Sequence, residues 1–528
     1  MTLEFRNAGD RPFVQPPGRA AALADGLVWH LLAEATRRGS PADGIAWLER
    51  AVRALVAAGE QGSTCVPLGD IAGTSDVAAA RQALLSSTLV AAETCTEPLV
   101  IDAAQRVYLA RYFDYEQRLA RAVARLARRP PVAVANPNGA SASPVRLVSE
   151  NEAILQPGEA DWQKLAAAMT LGGSLTVISG GPGTGKTTTV AAALACLLEQ
   201  DATLRVALAA PTGKAAGRML LAVRRASATL PETVRARLPD TSHTVHRLLG
   251  TRPGSVRFRH DARNPLPLDV LVVDEASMLD VALGARLCEA LPSHARLILV
   301  GDKDQLAAVE AGSVFSALAA NPYLSPDRIC SLSAATGIPG ASIRPRAGNA
   351  SAPMADTTVW LSRSYRFGPD SVIAELAGSI RDGSIDAEAI FDRPTEPDRE
   401  LNAKRLANGP PNAGQLDDML SNHAEFLARL RAREPDPRGL LDEFERHRVL
   451  CALRRGPRGV EELADALAGR LLALLGGAVR RGEPWFAGRP VLITRNDYNL
   501  GLSNGDVGIC LPARGGGFEV WFSDSAQT

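Results

Sequence analysis

One octapeptide, Gly180–Thr187 (GGPGTGKT), limits what this chain can fold into more than any other stretch. It matches G-x-x-x-x-G-K-[ST] and lies between an apolar run, LTVIS, and a helix-forming run, KTTTVAAALACLLEQ. Strand, glycine-rich turn and helix in that order make a phosphate-binding loop. Gly183 and Gly185 let the backbone wrap a phosphate without Cβ clashes, and Gly181, Pro182 and Thr184 complete the cradle. The helix start, with Lys186, Thr187 and Thr188, adds amide donors and a partial positive charge. Lys186 is expected to reach the β- and γ-phosphates, and the Thr187 hydroxyl to bind magnesium.

Such a loop belongs on an open parallel sheet, and the surrounding pattern agrees. Short apolar runs at Leu175–Ser179, Val206–Ala209, Val270–Val273 and Leu297–Val300 alternate with helical stretches. That alternation predicts an α/β, doubly wound sheet with ligands at the carboxyl ends of its strands. The run LDVLVVDEAS delivers Asp274, which would hold magnesium, and Glu275, which would orient and deprotonate the attacking water. The run RLILVGDKDQL ends in Gln305, whose carboxamide can contact a γ-phosphate and so sense the nucleotide state.

Two more segments interleave with these. APTGKAAGRM carries Pro211, Thr212 and Lys214 after a strand, and TVHRLLG carries Thr244 and His246. Hydroxyls, amides and a lysine at strand ends suit a phosphodiester backbone, and they equally suit ordinary strand-end turns. Gln163, in DWQKLAAAM ahead of the first strand, offers a donor and an acceptor to an adenine edge. Between residues 250 and 267 lie Arg252, Arg257, Arg259 and Arg263 among turn residues; this reads either as a basic hairpin insertion aimed at DNA or as a solvated loop.

At roughly 150 residues per domain, 528 residues make about three or four domains. Residues 1–115 carry helical spacing at Ala20–Arg37, Gly44–Ala58 and Val77–Leu89 and no chemical motif, as a docking domain would. A linker over 116–149 follows, then the first lobe over 150–332 and a low-complexity insertion, expected to be mobile, over 333–358. A second α/β unit is expected from 359 to 485, and a small β-barrel segment from 486 to 528, where Asn504-Gly505 signals a tight turn. The formal net charge is zero, so any nucleic-acid contact must come from a local groove. The seven cysteines are scattered with no C-x-x-C pair, which argues against zinc sites and a disulfide framework. The start, MTLEFRNAGDRPF, has no apolar core of a leader, and no long apolar span follows. A cytoplasmic protein is expected.

Taken in order, GGPGTGKTTTV, APTGKAA, TVHRLLG, DVLVVDEASM, GDKDQLAAVEAGSV and SYRF resemble superfamily 1 helicases of the RecD type. That family supplies the alpha subunit of exodeoxyribonuclease V. The resemblance resumes at RVLCALRRGPRGV and GRPVLITRNDYNLGLSNGDVGI. It implies RecA-like motor lobes with parallel sheets, a helical N-terminal domain and a small SH3-like β-barrel near the C-terminus. It also implies ATP and Mg2+ as cofactors and 5′–3′ movement on single-stranded DNA. RecB and RecC are the implied partners, with RecC docking on the N-terminal domain and the nuclease residing in the partner.

Carried over by position, Gln163 contacts adenine, Lys186 and Thr187 form the phosphate-loop pair, and Asp274 and Glu275 the magnesium and base pair. Gln305 is the γ-phosphate sensor, and Arg366 in SYRF reaches across the cleft. The family's VHKSQG-like and YTAVTRAR-like segments are not found between 360 and 528. The resemblance therefore leads to the expectation of a C-terminally incomplete second lobe and barrel. An alternative follows from it: a catalytically weak, nucleotide-binding structural subunit.

Overall fold

The computed structural model of the chain describes residues 19–73, 76–129, 159–228, 232–252, 254–255, 257–306, 311–368, 371–391, 401, 409–432, 435–475, 485–494, 497, 500, 502, 504–513 and 516–522. The fold divides into two compact units. Met1–Pro211 and Ala222–Ser364 make the first, Thr212–Leu221 and Tyr365–Thr528 the second.

The first unit opens with α1 (Arg19–Arg37) and α2 (Ala42–Glu60), at the positions their spacing predicts. Strand β1 (Cys65–Pro67), helices α3 (Leu68–Ala72) and α4 (Val77–Ser86), and strands β2 (Val90–Ala92), β3 (Leu99–Ile101) and β4 (Arg106–Leu109) follow. The strands form a small mixed sheet in the order β1-β4-β3-β2. Helical periodicity gave no hint of it, because strands of three or four residues are too short to establish an alternation.

Helix α5 (Ala110–Ala127) then runs into the start of the expected 116–149 linker. Its residues Leu119, Ala122, Val123 and Leu126 follow the i, i+3, i+4, i+7 spacing of one helix face and are buried in the core of the following α/β lobe. Residues 116–127 are therefore a helix with one face in the core, and 130–149 lie outside the described residues. Leu126→Ala is expected to destabilise the first unit by about 2–5 kcal/mol, as a cavity in a packed core does. A urea melt checks this, and a solvated linker would show no change.

The α/β lobe comprises α6 (Trp162–Gly172), β5 (Leu175–Gly180), α7 (Lys186–Gln200), β6 (Val206–Ala210), α8 (Gly213–Ala226), α9 (Glu232–Arg235), β7 (His243–Thr244), α10 (Val245–Leu249), β8 (Val270–Val273), α11 (Val281–Ala290), β9 (Arg296–Gly301), α12 (Val314–Ala319), α13 (Pro326–Thr336) and β10 (Thr358–Leu361). Its six-stranded sheet runs β10-β5-β9-β8-β6-β7, every neighbouring pair parallel. The central strands are near-continuous Val/Ile/Leu runs, as a sheet covered on both faces requires. Parallel register, with Leu175 beside Leu297 and Leu271 beside Leu297, brings the ends of β5, β9 and β8 together.

Strand β10 moves a boundary. The run VWLS, expected to open a second α/β unit at 359, pairs with β5, Thr358 beside Val177, and closes the first sheet. It buries Val359 and Leu361, and its pairing covers one edge of β5. The segment 333–358 is also better anchored than its low complexity suggests. The Asp356 carboxylate accepts from the Ser325 amide (2.6 Å) and hydroxyl (2.8 Å), and the Asn321 carboxamide donates to the Asn349 carbonyl (3.0 Å) and accepts from the Asn349 amide (2.9 Å). Such polar ties leave no periodic signature.

Besides the part of α8 up to Leu221, the second unit contains α14 (Val372–Arg381), α15 (Ala387–Phe391), α16 (Ala413–Ser421), α17 (Ala424–Leu430), α18 (Pro437–Glu445) and α19 (Val460–Leu474). Among the described residues between 365 and 485 there is no strand, so the parallel sheet expected over 359–485 is not seen there. Local signals favour helix instead: Asn412 and Gln415 form a capping box, and Asp436 caps α18 with Pro437 at its first position. β11 (Pro490–Leu492), β12 (Val507–Pro512) and β13 (Phe518–Phe522) form an antiparallel sheet whose Ile509 and Leu511 pack with Phe426, Leu440 and Leu471. Asn504-Gly505 forms the expected turn, with Gly505 at φ +95°, but the hairpin does not reverse there. The chain reverses between Asp497 and Leu502, which exchange backbone hydrogen bonds, while Gly505 donates to Ile493 on the returning arm. Those cross-strand bonds fix the reversal ahead of the two-residue turn.

Candidate nucleotide site

Strand β5 ends at Gly180, where an added Cβ would collide with the Thr184 hydroxyl. Gly183 (φ +76°) and Gly185 (φ +78°) take the left-handed conformation that glycine adopts without strain. Thr184 Oγ1 donates to the Gly181 carbonyl (2.9 Å), tightening the loop, and Gly185 leads into the fifteen-residue α7. The result is a concave run of amides at a helix N-terminus, which fits a phosphate. The Lys186 ammonium donates to the carbonyls of Gly180 (2.5 Å) and Gly181 (3.0 Å), at the mouth of that concavity. Thr187 is half-buried beside it, and Thr188 is exposed.

Gln163 is brought to the same loop. Asp161 caps α6 by accepting from the amides of Gln163 (2.9 Å) and Lys164 (3.0 Å). The Gln163 side chain is buried and its Nε2 donates to the Thr184 carbonyl (2.8 Å). A Cβ at position 185 would strike that amide, so Gly185 and Gln163 require each other.

On β8, the Asp274 amide extends the ladder to Ala209 (2.9 Å), and its Oδ1 accepts from the Glu275 amide (2.8 Å). Burial pushes the Asp274 carboxyl up to about 6. The Glu275 charge adds to that rise, while the Glu275 N–H bond and the Lys186 ammonium oppose it. Asp274 and Lys186 therefore share one electrostatic environment. Glu275 itself sits at φ +49°, a strained position for a residue with a side chain.

The turn after β9 joins the same end of the sheet. The Lys303 amide donates to Ser179 Oγ (3.1 Å) and the Gln305 amide to the Asp302 carbonyl (3.2 Å). Gln305 Oε1 accepts from Ser277 Oγ (3.0 Å). Ser277 and Ser179 were not singled out in the sequence; both lie inside quoted motifs, but nothing local marks them as contacts across strands.

The loop, the carboxylate pair and the carboxamide thus occupy the adjacent carboxyl ends of β5, β8 and β9. Residues 163–311 match the AAA domain family. The chain is 39% identical over 477 residues, 87% of its length and 72% of the relative's, to the RecBCD enzyme subunit RecD of Mycobacterium tuberculosis. The chain belongs to the RecD family. The RecD subunit of Mycolicibacterium smegmatis is 37% identical over 88% of this chain and 75% of its own. The ATP-dependent RecD2 DNA helicase of Deinococcus radiodurans is 31% identical over 79% of this chain and 46% of its own. This RecD-family chain is an ATP-dependent DNA helicase, and the likeness favours that motor over the catalytically weak alternative.

Other residues expected to act in a RecD motor are less gathered. Arg366 lies in the second unit and is exposed. Pro211 ends the run after β6, and Thr212 Oγ1 accepts from the Ala215 amide (3.3 Å) at the start of α8, which Lys214 joins. Thr244 caps α10 by accepting from the Arg247 amide (3.2 Å), and the exposed His246 ring meets Phe258 edge-on at 5.9 Å. Both have structural work beside any DNA contact. In the basic segment Thr251 pairs with Phe258 and Asp261 with Asn264, so it folds as a small hairpin with Arg252, Arg257, Arg259 and Arg263 exposed. Among the described residues no helix is long and apolar enough to cross a membrane.

The raised Asp274 carboxyl sets how the stability of the chain without nucleotide depends on pH. The folded state holds the proton to about 6, against the ordinary aspartate value of 3.8 in the unfolded chain. Its contribution is therefore complete below pH 3.8 and lost as pH rises through about 6. Asp274→Asn keeps the acceptor and the shape but not the buried charge. It is expected to be more stable than wild type by about 2–3 kcal/mol at pH 8, with the gap closing toward pH 4. Chemical melts across that range check the sign.

Proposed function

We propose that this chain is the alpha-type motor of a RecBCD-like complex, coupling ATP hydrolysis to 5′–3′ movement on single-stranded DNA at broken ends. It acts in recombinational repair and in the degradation of linear DNA, in the cytoplasm. The observation that carries this is the convergence of Lys186, Asp274 and Gln305 on one end of one parallel sheet. Lys186 neutralises the β- and γ-phosphates, and the amides of Gly181–Thr188 hold them. Gln163 meets the adenine. Thr187 and Asp274 hold Mg2+, which supplies charge neutralisation when bound, a role their hydroxyl and carboxylate suit. Glu275 accepts the proton of the attacking water, Gln305 senses the γ-phosphate, and Arg366 is the arginine that stabilises the charge of hydrolysis. Pro211, Thr212, Lys214, Thr244 and His246 are the residues that meet DNA. RecC docks on the N-terminal region, where α1 exposes Leu23 and Trp29, and the nuclease belongs to the partner.

The test uses the chain assembled with RecC and a RecB whose motor is inactivated. Duplexes with a 5′ single-stranded tail are expected to be unwound with ATP and Mg2+, and 3′-tailed duplexes are not. The opposite polarity would sink the reading, and failure to co-purify with RecC would sink the partner assignment.

A further inference from the structure

We propose that Ser277 is a positioning residue that holds the Gln305 carboxamide against the turn bearing Asp274 and Glu275. The proposal rests on Gln305 being the γ-phosphate sensor and adds how that sensor is set. The turn holding Gln305 is anchored through its backbone at Lys303, whose amide donates to Ser179 Oγ (3.1 Å) and whose carbonyl accepts from Ser316 Oγ (2.9 Å). Backbone anchoring leaves the Gln305 side chain to be fixed separately. It is exposed, and an exposed glutamine samples many rotamers. Its restraint is the bond from Ser277 Oγ to Oε1 (3.0 Å).

Ser277 can impose this because it is itself rigid. It is 3% exposed and lies in the short turn Ala276–Met278 directly after Asp274 and Glu275. Gly301 allows the close approach: a Cβ there would stand 3.1 Å from the Ser277 amide and from the Phe315 ring. The bond ties the sensor to the turn bearing the Asp274–Glu275 pair, so a shift of Gln305 on loss of the γ-phosphate is felt there.

A double-mutant cycle on the full chain, assembled with RecB and RecC, tests this through single-stranded-DNA-stimulated ATP hydrolysis. The RecB partner carries an inactivated motor. Ser277→Ala is expected to lower kcat roughly 3- to 10-fold with KM for ATP within about twofold. Gln305→Ala is expected to lower kcat at least as much, and adding Ser277→Ala to it is expected to change nothing further. A Ser277→Ala loss that persists in full without the Gln305 side chain overturns the proposal, as does no loss at all. If Gln305→Ala alone keeps wild-type turnover, the sensor reading itself fails, and the proposal with it. Should Ser277→Ala fail to fold, Ser277→Cys, which keeps the size with a weaker donor, is read in the same cycle.

Discussion

Lys186→Ala is expected to bring ATP hydrolysis to less than about one hundredth of the wild-type rate, with or without DNA. The side chain supplies a full positive charge to the phosphates in a site that already contains the half-buried Asp274 carboxyl. Without it, the phosphate charge meets Asp274 and Glu275 with amide dipoles alone. The fold is expected to survive, because the Lys186 ammonium bonds the carbonyls of Gly180 and Gly181, at the site's edge and not in the hydrophobic core. Lys186→Arg should fail nearly as fully, since a planar fork is not a compact ammonium and cannot occupy the same turn of loop. Steady-state ATPase with a melting curve on the same sample separates the two effects. A mutant that folds and keeps wild-type DNA-stimulated turnover would refute the assignment of the loop.

What could be read from the sequence was what depends on neighbours in the chain. Gly180–Thr187, the apolar strands before Asp274 and Gln305, and the alternation that builds the parallel sheet are local patterns with one good structural answer each. What escaped depends on partners far away in sequence. The edge strand Thr358–Leu361 reads as the start of something new until β5 is there to pair with it. Leu119 to Leu126 make an ordinary amphipathic helix, and only the core they enter shows that it belongs to the ATPase lobe. Asn504-Gly505 is a good turn in isolation, yet the pairing of Asp497 with Leu502 puts the reversal elsewhere. Ser277 lies in plain view in DEAS, but its bond to Gln305 spans 28 residues. Gln163 reads as an adenine contact by motif position, whereas its buried bond to Thr184 gives it a second task in bracing the phosphate loop.

Glu275→Gln is expected to lower kcat by about 10²- to 10⁴-fold while leaving KM for ATP nearly unchanged, since it removes a proton acceptor and little else. The backbone at this position supplies a second, independent signature. Glu275 stands at φ +49°, and a side chain held there costs about 1–3 kcal/mol. The strain is borne where β8 ends and the chain must turn at once to keep Asp274 on the ladder and Ser277 beside Gln305. Glycine would adopt that conformation without penalty, so Glu275→Gly should be as inactive as Glu275→Gln yet melt higher than wild type. The two substitutions together distinguish a base held under strain from a residue that merely fills a turn. A turn filler would lose neither turnover nor strain on becoming glutamine. If Glu275→Gln keeps more than about a tenth of wild-type turnover, proton transfer must be assigned to another group, and the strain at 275 would need a different reason.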